Sequence, residues 1–173
     1  MPKAFLRYLA FAFFLFSLCC SSCAHQLKPV TGGSYRDSQG YFELTLPDEQ
    51  GWQLLSWKDV DFVLWEQKTG ATIVVNVTSL KEETNLIALT NQLLIAFEGK
   101  QIISRDSELF QGCEALKTVL EARVEGTEIA AEVYVVRGAG VCYDIMFWAP
   151  RDVFPRQVEA FHRLLLGIHI LKP

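Results

Sequence analysis

The sequence predicts an α+β domain in which a mainly antiparallel sheet is combined with two principal helices. Three observations carry this prediction. From Tyr41 onward most segments alternate apolar and polar residues with period two, which is typical of strands. Two segments instead repeat apolar residues at helical spacing. The order of strands, helix, strands and helix contains no regular βαβ repeat, which favours antiparallel pairing.

The first part of the domain is expected to hold four strands. Residues 42–46 alternate and are followed by turn formers, and a short strand is expected at 52–55. Strands over 61–67 and 71–78 are expected to form a hairpin around Lys68-Thr69-Gly70, buried on both faces. One face would carry Val63, Trp65, Ile73, Val75 and Val77, and the other Phe62, Leu64 and Val74.

Two helices are predicted, over residues 85–98 and 155–166. The first would start at 79–82 or at Thr84, and a short strand at 167–171 would follow the second. Glycine is a stop signal after each helix, at Gly99 and Gly167. Their apolar stripes are Leu86, Leu89, Leu93 and Phe97 in the first helix and Val158, Phe161, Leu164 and Leu165 in the second.

The most specific register in the sequence belongs to a hairpin of residues 115–124 and 127–137. Glu125-Gly126 forms its two-residue turn. Pairing Val124 with Thr127 sets apolar residues opposite each other on one face and Arg123 opposite Glu128 on the other.

A further strand is predicted at 141–148, after a loop formed by Gly138-Ala139-Gly140. A three-residue loop places Val141 and Tyr143 on the core face, whereas a two-residue loop would place Asp144 there. Burying an unpaired carboxylate is costly, so the three-residue loop is preferred. This choice puts Trp148 on the outer face, opposite Ala130.

The amino terminus has the pattern of a secretion signal. Basic residues precede an uncharged run, 8–20, that is shorter than the ~20 apolar residues of a spanning helix. Ser21 and Ser22 then precede Cys23, which resembles the signal of bacterial lipoproteins, in which the cysteine receives acyl chains such as palmitate. Cys19 and Cys20 are alternative lipidation sites. Cleavage after Ala24 at an ordinary signal-peptidase site, releasing a soluble secreted protein, is the other interpretation.

Composition and charge place one folded domain behind this signal. The chain has 173 residues, is 50% hydrophobic and carries a net charge of −4, which exclude a disordered chain and give no indication of nucleic-acid binding. We assign residues 1–23 to a signal peptide, 24–40 to a flexible tether and 41–173 to the domain.

The opening of the domain resembles a known family. Gly40-Tyr41-Phe42-Glu43-Leu44-Thr45-Leu46-Pro47 is followed by Gly51-Trp52, a hairpin, a helix, three long strands and a closing helix. This arrangement resembles the PsbP-type fold, which DcrB-like bacterial lipoproteins share with the PsbP extrinsic protein of photosystem II, and it covers about 35–171. The resemblance implies a non-catalytic accessory, binding or assembly role. Separately, we expect no cofactor.

No motif of catalysis, phosphate binding or metal binding occurs in the sequence. G-x-S-x-G, H-E-x-x-H, the P-loop and the dinucleotide fingerprint are all missing. His25, His162 and His169 are expected to be solvated rather than metal ligands, because nothing in the sequence brings them together. We therefore expect neither an enzyme nor a metal site.

An apolar surface is the binding feature that the sequence predicts. It would consist of Trp57, Trp148, Met146 and Tyr134, on or beside the outer face of the sheet. The expected function is a non-catalytic binding or assembly role in the cell envelope, anchored through Cys23. What is known of lipoprotein sorting favours the outer membrane, facing the periplasm, because Ala24 rather than Asp follows Cys23. A periplasmic carrier of an apolar ligand is the alternative, and an envelope hydrolase is the third.

Cys113 and Cys142 are expected to be free thiols. The register places them on opposite sides of the strand that ends at Arg137, about 9–10 Å apart at their Cα atoms. A disulfide requires Cα atoms within about 7 Å.

Overall fold

The computed structural model describes residues 28–29, 32–46, 51–80 and 84–171. The signal peptide and Cys23 lie outside the described residues. The strands are β1 Lys28–Pro29, β2 Gly33–Arg36, β3 Phe42–Leu46, β4 Trp52–Leu55, β5 Phe62–Glu66, β6 Thr72–Ser79, β7 Glu98–Phe110, β8 Cys113–Val124, β9 Thr127–Arg137, β10 Val141–Pro150 and β11 Ile168–Ile170. The helices are α1 Leu86–Leu93, followed by a 3-10 turn at Leu94–Ala96, and α2 Phe154–Gly167.

Two antiparallel sheets hold these strands. The large sheet has eight strands in the order β1-β4-β5-β6-β10-β9-β8-β7, and the small sheet has three in the order β11-β3-β2. Every strand pair of the described residues is antiparallel. The predicted α+β class with two principal helices is confirmed.

The large sheet is covered on both faces, and each face has its own core. On the face that we call the α2 face, helix α2 and the small sheet pack on Phe147, Tyr143 and Ile145. On the opposite face, the α1 face, Leu93 and Leu94 share a cluster with side chains of the central strands. Strands buried on both faces lose the alternation of polar and apolar residues that marks a half-exposed strand.

The β8–β9 register is confirmed. Val124 lies opposite Thr127, and the Arg123 and Glu128 side chains approach to 3.5 Å. Glu125 and Gly126 both have positive φ, 50° and 80°, as the tight primed turn of a two-residue hairpin requires.

The predicted three-residue loop between β9 and β10 is wrong. The Gly138 N–H donates to the Val141 carbonyl at 3.0 Å, which leaves a two-residue connection, and Cys142 lies opposite Arg137. Asp144 is buried, with Cys142 Sγ 3.6 Å from its Oδ1. Because both faces of the sheet are covered, no choice of loop length would have left this carboxylate in water.

The predicted faces of the β5–β6 hairpin are also wrong. Leu64 pairs with Ile73, and Val63 pairs with Val74. Leu64 therefore shares a face with Ile73, where the prediction had placed Val63, and the register differs from the prediction by one residue. A one-residue slip exchanges the two faces of a strand, and here both faces are apolar, so hydrophobicity does not fix the register. Burial on both sides is confirmed.

Three segments depart from the predicted boundaries. Helix α1 begins after its cap Asn85, whose Oδ1 accepts from the Ala88 N–H at 2.7 Å, and it ends at Leu93 rather than at residue 98, because a 3-10 turn and β7 follow. Strand β7 was not predicted. Strand β2 lies inside the expected tether, since it pairs with β3 and the Tyr35 ring packs 4.9 Å from Phe62. Helix α2 and strand β11 lie where the sequence predicted them.

Candidate functional site

The apolar surface predicted from the sequence is mostly interior. Trp148 is 5% exposed, Met146 4% and Tyr134 6%. Met146 and Trp148 belong to the α1-face core, where Trp148 lies opposite Ala131 rather than Ala130. Tyr134 lies on the other face, its ring 6.1 Å from that of Phe161 in α2. Trp57 is half-buried against the α1-face core.

The buried polar groups converge on one carboxylate, Glu132 of β9. Its Oε1 lies 3.1 Å from Lys117 Nζ of β8, 3.1 Å from the Tyr134 hydroxyl and 3.0 Å from His162 Nε2 of α2. Glu132 is 4% exposed, and the Lys117 ammonium also lies over the Tyr134 ring, 5.4 Å from its centroid. We call these four side chains the Glu132 cluster.

The protonation states in the cluster follow from its geometry. Burial, the largest cause, and the charge of Glu132 together raise the pKa of Tyr134 to about 12 against the opposing effect of Lys117. Burial by itself would lower the pKa of Lys117, but hydrogen bonds to Glu132 and Tyr134 outweigh it, so that pKa is raised. At neutral pH Lys117 is therefore a cation and Tyr134 a neutral donor.

The Glu132 cluster links three elements of the fold. One oxygen of Glu132, Oε1, is shared by Lys117, Tyr134 and His162. Through His162 the carboxylate joins helix α2 to the sheet, and through Lys117 it joins β8 to β9. Sequence reasoning missed this cluster because Lys117, Glu132 and His162 are far apart in the chain.

Other buried carboxylates accept hydrogen bonds from nearby backbone. Asp37 Oδ2 accepts from the N–H groups of Gln39 and Tyr41, and Glu66 accepts from those of Lys68 and Thr69. Such pairing shapes turns. Among the described residues no group of three or more His, Cys, Asp or Glu side chains could hold a metal ion.

Exposed apolar side chains lie where α1 meets β7. Ile87 and Ile95 share one side of α1 and its 3-10 turn with Asn91, at spacings of four residues. That side faces β7, because Arg105 donates to Asn91 Oδ1 at 3.2 Å. We define the α1–β7 rim as five residues with their exposed fractions: Ile87 54%, Ile95 53%, Ile102 39%, Ile103 57% and Leu109 73%.

The rim runs along the last strand of the large sheet. Strand β7 has 13 residues and pairs on one side with β8. Register shifts between Glu98 and Gln101 and between Ile102 and Ser104 interrupt its first half, whereas Ser104–Phe110 pairs without a shift. No strand is indicated by the sequence here, because charged and apolar residues do not alternate along it.

Cys113 and Cys142 are free and buried, as predicted. They belong to the cores of opposite faces of the sheet. Burial raises the pKa of both thiols, and the neighbouring Asp144 raises that of Cys142 further. Both are poor nucleophiles at neutral pH.

None of the described helices is long and apolar enough to cross a membrane. No family model matches the sequence, and no curated protein does.

Solved structures share the fold of the described chain. The solution structure of cyanobacterial PsbP (CyanoP) from Synechocystis sp. PCC 6803 matches 87% of this chain and 98% of its own, with 14% identity and a TM-score of 0.61. LpqN of Mycobacterium tuberculosis, described as involved in cell envelope biogenesis, matches 87% of this chain and 92% of its own, with 16% identity and a TM-score of 0.58. The Ran-binding protein Mog1p of Saccharomyces cerevisiae matches 82% and 96%, with 10% identity and a TM-score of 0.56. The chain therefore has a PsbP-like α+β fold.

Proposed function

We propose that this protein is a lipid-anchored component of a bacterial cell envelope, held at the outer membrane through Cys23 and acting by binding a protein partner rather than by catalysis. The fold is shared with LpqN, a protein involved in cell envelope biogenesis, with PsbP and with a Ran-binding protein. The signal-like amino terminus supports the anchor. The Glu132 cluster, in which Oε1 of the carboxylate is shared by three side chains of the fold, supports a role without chemistry.

One observation carries the binding role, namely the α1–β7 rim. Its isoleucines adjoin an outer strand whose straight part, Ser104–Phe110, has one neighbour in the described sheet. An extended protein segment can add to such an edge through backbone hydrogen bonds while its side chains contact the apolar rim. A small apolar ligand would not use a strand edge. Tyr134, Met146 and Trp148 are buried, so the apolar surface predicted from the sequence supports neither a protein partner nor a carried apolar ligand, and the binding role depends on the rim.

Two measurements test the anchor and the rim separately. Mass spectrometry of the mature amino terminus is expected to find acyl chains on Cys23, and Cys23→Ala is expected to release the protein from membranes. An unmodified terminus would contradict the anchor.

For the rim, a deletion strain is complemented with Ile103→Asp or with the matched variant Asp106→Asn on the same strand. We expect the deletion to increase permeability to detergents and Ile103→Asp to fail to restore the barrier, although it folds and is anchored. Asp106→Asn is expected to restore it, because Asp106 projects to the α2 face. Full complementation by Ile103→Asp would contradict the rim, and an intact barrier in the deletion strain would contradict the envelope role.

A further inference from the structure

The position of β1 restricts how the domain can stand on a membrane. Lys28 lies opposite Leu54 and Pro29 opposite Gln53, in antiparallel pairing with β4. Toward the amino terminus, β1 therefore points in the direction in which β4 runs, to the β4–β5 loop at residues 56–61. This loop marks one end of the large sheet, which we call the loop end.

Other turns lie at the same end. Strand β6 runs antiparallel to β5 and ends there, opposite the start of β10, so the β9–β10 turn at Ala139 also lies at the loop end. The β8–β9 turn lies at the opposite end, since β9 has 11 residues, or about 35 Å at strand spacing, between the two turns.

The chain between Cys23 and Lys28 is short. Four residues separate them, and even a fully extended chain spans at most about 18 Å over five steps. A tether reaching residue 40, as the sequence alone predicts, would span about 60 Å. A lipid on Cys23 consequently limits how far the loop end can lie from the bilayer, whereas the β8–β9 turn, about 35 Å away along β9, has no such limit.

The β4–β5 loop has side chains suited to this position. Trp57 is half-buried and Lys58 is exposed. Tryptophan favours the headgroup region of a membrane, and lysine is attracted to anionic lipid. Asp59 is exposed beside Lys58, so the net attraction of the loop is small. The other acid, Asp61, is turned to the sheet, where its Oδ2 accepts from the Val77 N–H at 2.7 Å.

We infer that in the anchored protein the loop end of the sheet faces the phospholipid bilayer, with Trp57 at the headgroups, and that the short link from Cys23 sets this orientation. The inference rests on the proposed anchor at Cys23. In this orientation Ile102 of the α1–β7 rim, opposite Leu120, lies away from the bilayer, whereas Leu109, opposite Glu114 beside the β7–β8 turn, lies toward the loop end.

Energy transfer to lipid tests the orientation. The full-length, lipidated protein is placed in vesicles of phosphatidylethanolamine and phosphatidylglycerol that contain an acceptor-labelled lipid. A donor dye is attached to Ala139→Cys in one sample and to Thr127→Cys in another, two exposed positions at opposite ends of β9. The parent protein, with its buried thiols, is the labelling control. We expect transfer from position 139 to exceed that from 127 several-fold.

The outcomes separate the orientation from the anchor. Protein that does not float with the vesicles contradicts the anchor. Protein that floats but shows equal transfer from both positions contradicts the orientation alone. Inserting twenty glycine and serine residues after Ala24 is expected to equalise the two signals, and an undiminished difference would show that the short link is not its cause.

Discussion

The two faces of the large sheet are covered to different extents. On the α2 face, a helix of 14 residues and a three-stranded sheet pack on the aromatic core. On the α1 face, a helix of eight residues and a 3-10 turn pack on the core, and loop side chains such as Trp57 pack against it as well. Neither α2 with the small sheet nor α1 with its 3-10 turn covers all of β7, and the exposed side chains of β7 differ between the two faces.

Beyond α2 the exposed side chains of β7 include acids, whereas beyond α1 they include large apolar side chains. Asp106 and Glu108 of β7 project to the α2 face, and Ile102 and Leu109 to the α1 face. Charged side chains on the uncovered part of the α2 face are solvated and need no protein partner. Exposed isoleucines beside an open strand edge are typical of an interaction surface. This difference is the reason for proposing the α1–β7 rim, on the side that has the shorter helix, as the binding surface.

The largest effects that we expect come from the two cores. Trp148→Ala on the α1 face and Phe161→Ala on the α2 face should each lower the free energy of unfolding by about 3–5 kcal/mol, because both side chains are buried. Urea unfolding followed by circular dichroism measures both. Trp148→Phe is the matched control and should lose less. A loss below about 1 kcal/mol for Trp148→Ala would show that the α1 face is not a true core.

The Glu132 cluster should account for the next largest effect, on the α2 face alone. Glu132→Ala leaves Lys117 and the Tyr134 hydroxyl without their shared acceptor, and we expect a loss of about 1–3 kcal/mol. Lys117 remains 25% exposed, so water offsets part of the cost. Glu132→Gln keeps an acceptor and should lose less. Equal losses in the two variants would indicate that the negative charge, rather than hydrogen bonding, stabilises the cluster.

The parts of the fold that were predictable are those in which the sequence carries two independent signals. The β8–β9 hairpin combines an apolar face, the turn Glu125-Gly126 and the pair Arg123–Glu128, and its register follows from all three. In β5 and β6 both faces are apolar, so register had no such check. Trp148 was placed outside because the three-residue loop, preferred in order to keep Asp144 off the core face, shifted the register of β10 by one residue; Trp148 in fact lies opposite Ala131.

The site was less predictable than the fold. The Glu132 cluster depends on β8, β9 and α2 meeting in space, and no spacing in the sequence indicates it. Strand β7 lacks alternation because of its two register shifts and its exposed charges, so the rim was missed together with the strand. Isoleucines in a polar stretch can indicate an exposed apolar surface, but the sequence alone does not show that those of β7 lie beside α1.

A smaller effect is expected at the cap of the shorter helix. Asn85 Oδ1 accepts from the Ala88 N–H at 2.7 Å, and Asn85→Ala should cost about 1 kcal/mol. Asn85→Asp retains an acceptor and adds a charge that suits a helix amino terminus, so it should be close to the parent protein. Hydrogen exchange of the α1 amides should rise in Asn85→Ala while that of α2 stays unchanged. An equal rise in both helices would show that α1 does not open independently.

The smallest effect is a pH dependence confined to the α2 face. In the folded protein the pKa of Tyr134 is raised to about 12, whereas an unfolded tyrosine loses its proton near pH 10. Between these values the folded state holds more protons than the unfolded state, so this contribution to stability is complete below about pH 10 and is lost as the pH rises toward 12. The raised pKa of Lys117 acts in the same direction.

Tyr134→Phe removes the hydroxyl and should make the fall in melting temperature between about pH 9.5 and 11.5 shallower. A Cys142→Ala background removes a buried thiol that also titrates at alkaline pH. Parallel melting curves for the two proteins would show that the Tyr134 hydroxyl is not held neutral by the cluster.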